Sequence, residues 1–339
     1  MRFRRAAVAG VAVLALALAS ACNDNGSTSG DGGENLEKVS YLTSFNLFGR
    51  EAYAYVALEK GYFKDAGFDV TINPGSGTVD VMKLVAGGQA DYGIGDFTGT
   101  VITMGKQKLP VTTVGMIHQR SLAAIVALQG GSITKAEDLV GKKIGDQPGS
   151  TNTVMFPLYA KAAGIPADQT KFVPNPPPQL PQLLAAGTVD GIGQFVVGVP
   201  LVEKADPKKR KAVVLPYGDK LPDLYGNAII TRSDLAKDHP DQVKRFTGAL
   251  LKGLQDAIDD PEGAAKTMKK YAPNLDVDVA TQELKLMKEY VKPEGFTGPL
   301  GDVDTARVQK VIDALVDAKQ VGTDIKPADV VDGALAPKG

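Results

Sequence analysis

The chain has 339 residues, 43% of them hydrophobic and 23% charged, with a net charge of −1. This is long enough for two domains with proper cores and ordinary for a globular protein, which excludes a disordered or fibrous chain. No basic cluster exists beyond Lys208-Lys209-Arg210, so a nucleic-acid partner is not expected.

The N-terminus reads as an export signal over residues 1–21: Arg2, Arg4 and Arg5, then the apolar run Ala6 to Ala19, then small residues. Cys22, the only cysteine, follows at once, and L-A-S-A-C resembles the lipobox of bacterial lipoproteins, with Leu18 one place early. A lipidated Cys22 leaves no thiol for disulfide, redox or zinc chemistry. Residues 22–37, rich in Gly, Ser, Asn and Asp, then form a tether with a span of roughly 20 Å. The expected location is extracytoplasmic, anchored to the cell membrane.

From Lys38 onward short apolar strands alternate with amphipathic helices. Strands are expected at Val39–Leu42, Phe68–Ile72, Tyr92–Gly95 and Val111–Ile117. Helices are expected at Tyr53–Lys60, stopped by Gly61, and Thr78–Ala86, with Thr78 as N-cap. After the apolar run Leu122–Leu128 and a turn at Gly130-Gly131 a second series follows: strand Lys143–Gly145, helix Ser150–Ala163, strand Lys171–Val173, a proline-rich loop, helix Leu180–Ala186 and strand Gly191–Val196.

The two series share a corner. LVAGGQADYGIGDF (84–97) matches LLAAGTVDGIGQF (183–195) at eight positions when one gap is placed opposite Tyr92. Without the gap, Asp96 falls opposite Phe195 instead of Gln194, and a one-residue shift swaps the face a strand residue presents.

The apolar segments Ala212–Leu215 and Ala228–Ile230 bracket a loop, Pro216 to Asn227, and the C-terminal third is helical, with stripes Val243, Phe246, Leu250, Leu254, Ile258 and Val308, Val311, Ile312, Leu315. The expected fold is α/β and two-lobed, each lobe a mainly parallel sheet flanked by helices. Lobe 1 is discontinuous, 38–122 with 228–339, and lobe 2 is 123–227, with crossings near Ser121–Ala124 and Ala228–Thr231. Ligands in open α/β sheets settle beyond the carboxyl ends of strands, so a cleft between two such edges can close on a guest.

Nucleophile–base chemistry is poorly supplied: His118 and His239 are the only histidines, and no G-x-S-x-G or H-E-x-x-H occurs. No catalytic residue, metal or cofactor is expected. Instead, small polar residues gather at strand-to-helix junctions, Ser76-Gly77-Thr78 before one helix and Gln147 with Ser150-Thr151 before its counterpart. Planar guests could stack on Phe45, Phe97, Phe195, Tyr217 or Tyr225. Asp96, Thr98, Gln119, Gln194 and Asn227 complete the candidate set at strand ends. Only Arg50 and Arg120 lie near these positions, with Asp96 and Asp146 equally close, which tilts the balance toward a neutral or amine-bearing ring over an anion.

Four stretches, A-Y-V-A-L-E-K-G-Y-F-K-D-A-G-F-D-V (54–70), D-L-V-G-K-K-I-G (138–145), L-L-A-A-G-T-V-D-G-I-G-Q-F-V-V-G-V-P (183–200) and Y-G-N-A-I-I-T-R-S-D-L (225–235), resemble solute-binding proteins of bacterial ABC importers of the NMT1/THI5-like type. The resemblance implies a type II periplasmic-binding-protein fold and a monomer that presents its ligand to a permease driven by an ATPase. Its ligand would be a pyrimidine-type precursor or, as the runner-up, nitrate, a sulfonate or taurine. It also implies site residues at Ser44, Phe45 and Asn46. Fungal relatives that make the pyrimidine carry a cysteine-rich motif absent here, which removes the enzyme reading. An extracytoplasmic enzyme and a ligand sensor remain as rivals.

Overall fold

The computed structural model describes residues 36–337. The export signal, Cys22 and most of the tether lie outside the described residues. Among the described residues no helix is long and apolar enough to cross a membrane.

Among the described residues ten strands form two five-stranded sheets. The first contains β1 (Glu37–Leu42), β2 (Phe68–Asn73), β3 (Tyr92–Asp96), β4 (Val111–Met116) and β10 (Asn227–Arg232), in the order β2-β1-β3-β10-β4. The second contains β5 (Ala123–Leu128), β6 (Lys143–Asp146), β7 (Lys171–Pro174), β8 (Gly191–Phe195) and β9 (Ala212–Pro216), in the order β7-β6-β8-β5-β9. Both are mixed in the same way. β1 and β6 run parallel to both neighbours. β10 and β5 run antiparallel to both of theirs.

The inner strands β3, β5 and β8, and β4 at one edge, are buried along their whole length, because both of their faces are covered. Along β5, Ala123, Ile125 and Ala127 join a core that extends through both sheets, whereas Ala124, Val126 and Leu128 join a separate cluster with Leu180, Leu184 and Val202. The outer face of the first sheet packs under the helices Ala52–Glu59 and Pro240–Asp259, with Phe246 stacked on Tyr92 at 3.8 Å. The expected stripe Val243, Phe246, Leu250, Leu254 and Ile258 is buried there, and Pro240 occupies the first turn, where its missing N–H costs nothing.

The repeated corner is built twice with the same bonds. Gly88 and Gly187 take φ of 71° and 72° and end their helices, each donating back to the residue three before, Val85 and Leu184, at 3.0 Å. Asp91 N–H bonds Ser40 O and Asp190 N–H bonds Lys143 O, both at 2.9 Å. The carboxylates return the bond, Asp91 Oδ2 accepting from Ser40 N at 2.8 Å and Asp190 Oδ2 from Lys143 N at 2.9 Å. With these anchors Tyr92 pairs Tyr41 and Gly191 pairs Ile144. No gap belongs opposite Tyr92: Tyr92 is the counterpart of Gly191, and Asp96 of Phe195. Sequence identity favoured the gap because glycine and isoleucine recur in both strands one place out of step.

Two further expectations are corrected. Pro74–Thr78 follows β2, but Gln147–Thr151 follows β6, the equivalent of β1, so these junctions face each other without being counterparts. The crossings between sheets are residues 117–122 and 217–226, since Ala228 to Thr231 are already paired inside β10. They are bonded together, Ser121 N to Leu224 O at 3.0 Å and Gly226 N to His118 O at 3.1 Å. Arg307 grips both, Nη2 donating to Gln119 O at 2.7 Å and Leu224 O at 3.0 Å, and Nε to Asp223 O at 2.8 Å.

Candidate functional site

The carboxyl ends of the two sheets face each other and are closed together. Thr78 Oγ1 meets Thr151 Oγ1 across the boundary at 3.1 Å, and Gln147 Nε2 donates to Ser76 O. Thr78 is the first helical residue, not the cap, because Gly77 at φ 104° takes the N-cap position; its hydroxyl instead accepts from Asp96 N at 3.0 Å. Ser150 is an N-cap, accepting from Thr153 N at 3.1 Å.

Between the sheets lies a cavity of about 20 Å³ lined by residues of both. That volume holds about one water, so a larger guest requires the lobes to part. Ser44, Phe45, Gly77, Ser150, Thr151, Gln194 and Phe195 of the candidate set line it. Both members of the Gln194–Phe195 pair reach it, although Gln194 Oε1 is occupied by Phe195 N at 2.8 Å. Asn46, at φ 58°, borders an adjoining groove of about 500 Å³ with Phe48, Tyr271 and Glu283. Another groove of about 630 Å³, bordered by Glu37, Arg232, His239 and Arg245, has no residue from the second sheet and takes no part in closure.

Other candidates pack elsewhere. Phe97 follows Asp96, and alternation of side chains sends it to the core, where its ring meets Tyr225 edge-on at 5.6 Å. Tyr225 lies under Arg307, 3.8 Å from ring centre to guanidinium, and its hydroxyl accepts from Asp304 N. Tyr217 stacks on Tyr159 at 4.3 Å. Gln119 sits in the crossing and donates to Asp302 O at 3.0 Å.

At the carboxyl end of the first sheet Asp96 caps the helix Phe97–Gln107, an element absent from the sequence reading. Its Oδ1 accepts from Gly99 N at 3.0 Å. Burial pushes its carboxyl up to about 7, against the pull of the Gly99 and Thr98 N–H groups. Oδ2 has no hydrogen-bond partner among the described residues, and the same holds for Thr98 Oγ1, Asn227 Oδ1 and His118 Nε2 nearby. Asn227 pairs with Asp96 and donates its N–H to His118 Nδ1 at 3.2 Å, which leaves the imidazole proton on Nε2. Burial, and then the charge of Arg50, push His118 down to about 3, so it is neutral.

Four cavity residues were not chosen as site residues from the sequence: Arg50, Asp146, Asn152 and Gly193. Asp146 organises its junction, Oδ1 accepting from Gln147 N at 2.7 Å and Oδ2 from Ser150 Oγ at 2.6 Å and Thr153 Oγ1 at 3.1 Å. Burial nonetheless raises it to about 6. A Cβ at Gly193 would lie 2.1 Å from Asp146 Oδ2, so this carboxylate requires glycine on the neighbouring strand. Arg50 and Glu51 are both buried at the start of an otherwise apolar helix, and a charged pair in F-G-R-E-A-Y-A-Y-V-A-L was a legible signal. Glu283, which approaches Arg50 from a helix 233 residues away, had none.

Two mixed α/β sheets joined by two bonded crossings, with a cavity at their facing carboxyl ends, define the two-lobed periplasmic-binding-protein fold. The chain belongs to the NMT1/THI5-like family, whose sequence model matches residues 51–264. It is 24% identical over 308 residues to the formylaminopyrimidine-binding protein of Halalkalibacterium halodurans, covering 88% of this chain and 90% of that protein. It is 26% identical over 263 residues to the 4-amino-5-hydroxymethyl-2-methylpyrimidine phosphate synthase of Candida albicans, covering 75% and 77%. Its structure is similar to that of the alkanesulfonate-binding protein SsuA of Xanthomonas axonopodis pv. citri bound to MOPS, with a TM-score of 0.69, 15% identity, and coverage of 87% and 98%.

A carboxyl raised by burial binds its proton more tightly when folded, so its stabilising share is complete below the unfolded pKa and is lost as the pH rises through about 7. Asn keeps an acceptor for the cap without titrating. The stability of the wild type relative to Asp96→Asn, from urea unfolding, should therefore fall steadily between pH 4 and pH 7.5. A difference that is flat across this range would contradict the placement.

Proposed function

We propose that the chain is the extracytoplasmic solute-binding component of an ABC importer. It closes two lobes on a small ring-bearing solute of pyrimidine type and presents it to a membrane permease. One observation carries the reading: the cavity is built jointly from the strand-to-helix junctions of both sheets, with Phe45 from one lobe and Phe195 from the other at its wall. Aromatic walls suit a planar guest, and the similarity to the formylaminopyrimidine-binding protein of Halalkalibacterium halodurans supports a pyrimidine.

Binding, not turnover, is the proposed activity, although fungal relatives are named synthases. His118 is neutral, buried and tied to the second crossing, and His239 is exposed at the start of the helix Pro240–Asp259, so neither is paired with a nucleophile. Export and attachment through a lipidated Cys22 complete the proposal, with the protein acting as a monomer.

Mass spectrometry of the purified protein should find a small ring compound. A thermal-shift panel of pyrimidines, sulfonates and nitrate should show stabilisation by the pyrimidines, about 2.7 kcal/mol at a hundredfold excess over Kd. Phe195→Ala should weaken the effect at least tenfold in affinity, while unchanged affinity, or turnover of the bound compound, would refute the assignment. Cys22→Ser should move the protein from the membrane to the soluble fraction; retention in the membrane would refute the anchor.

A further inference from the structure

Arg50 lies in the turn Gly49–Glu51 and is only 2% exposed. Its guanidinium sits between two rings, 4.5 Å from the centre of Phe48 in the first lobe and 5.0 Å from that of Phe195 in the second, and it lines the interlobe cavity. Nε and Nη1 are buried without a hydrogen-bond partner among the described residues. Glu283 Oε1 is 3.9 Å from Nη1, beyond hydrogen-bond distance, and is likewise unpartnered. The second acid, Glu51, is committed elsewhere, bonding Ser44 Oγ, Ser44 N and Tyr53 OH. Buried cationic donors left empty at a cavity wall are what an anion-binding site looks like without its anion, since leaving such groups unpaired is costly.

An anion placed against Arg50 would compete with Glu283 for the one positive charge. With Glu51 also in the field of Arg50, an anion makes three negative groups around one buried cation in a site closed to water, an excess that protonation of one of them reduces. Glu283 is the group placed to accept that proton. Its Oε2 accepts from Arg50 N at 3.1 Å, while its Oε1 has no hydrogen-bond partner among the described residues and lies 3.9 Å from Arg50 Nη1, so it can take a proton beside the guanidinium. Burial first, with the Glu51 charge as a smaller aid, already raises Glu283 to about 7 against the opposing pull of Arg50. Facing this cluster are Tyr41 and Tyr53 beside Glu51, the neutral His118, and Asp146 from the second lobe.

We infer that Arg50 receives a negatively charged substituent of the solute, and that capture is coupled to uptake of a proton by Glu283. The inference rests on the solute-binding reading and narrows it to ring compounds bearing an anionic group. With Glu283 ionised in the open, wetted cleft and protonated in the closed complex, low pH favours capture.

Titration calorimetry with matched pairs, pyrimidine-5-carboxylate against pyrimidine-5-carboxamide and benzoate against benzamide, tests it. The acids should bind the wild type at least tenfold more tightly than the amides at pH 6. Their affinity should then weaken by up to about tenfold per pH unit toward pH 8. Comparison of phosphate and Tris buffers should register uptake of about one proton at pH 7.5. Glu283→Gln should abolish the proton uptake, and Arg50→Gln should abolish the preference for acids. The double variant Arg50→Gln with Glu283→Gln removes both buried charges, so neither is left uncompensated, and should fold and show no preference. Amides binding as well as acids, a preference that survives Arg50→Gln, or no binding of any acid would overturn the inference. Tight binding of neutral rings alone would do so while leaving the solute-binding reading standing.

Discussion

In each lobe one aspartate side chain ties equivalent strands together, β3 to β1 and β8 to β6. Asp91 accepts from the backbone of β1 and Asp190 from that of β6, and each donates its own N–H back to the same strand. Because side chains alternate along a strand, this doubly bonded contact decides which residues at the two strand ends are equivalent. It makes Asp96 and Phe195 equivalent, and of the two only Phe195 lines the interlobe cavity. One is a buried carboxyl that caps a helix, the other a ring that covers the Arg50 guanidinium. A near-symmetric scaffold thereby forms an unsymmetrical site.

Closure is the second consequence. The lobes are joined through two crossings that bond to each other and to Arg307, which keeps the hinge compact and the relative approach of the sheets constrained. The closed cleft is nevertheless incompletely satisfied: Arg50, which lines the cavity, holds two buried nitrogens without a hydrogen-bond partner among the described residues. Each such atom costs about 1–3 kcal/mol. A solute that supplies partners favours the closed arrangement by that difference, which is the differential contact a closing receptor needs.

Much of this fold was legible in the chain itself. Seven of the ten strands among the described residues lie where short apolar runs and glycine punctuation predict, and the other three fall on apolar segments, since buried strands and helix stops leave dense local signals. The helix Phe97–Gln107 escaped because threonines and glycines dilute its apolar pattern, and its start depends on the Asp96 cap. The site was less legible. Junction residues such as Ser150 and Thr151 could be named from local chemistry, whereas Phe97 and Tyr225 carry the same aromatic label and are core. The pairing of Arg50 with Glu283 joins residues 233 apart and depends on how the C-terminal helices fold back, which no local pattern encodes.

The central claim is that solute enters and leaves only as the two lobes separate. Thr78 and Thr151 meet across the boundary with hydroxyls 3.1 Å apart, close enough for sulfur atoms in their place to bond. In the double variant Thr78→Cys with Thr151→Cys, oxidation should lock the lobes together and abolish solute uptake, and reduction should restore it. Uptake at an unchanged rate by the oxidised, cross-linked protein would contradict the account.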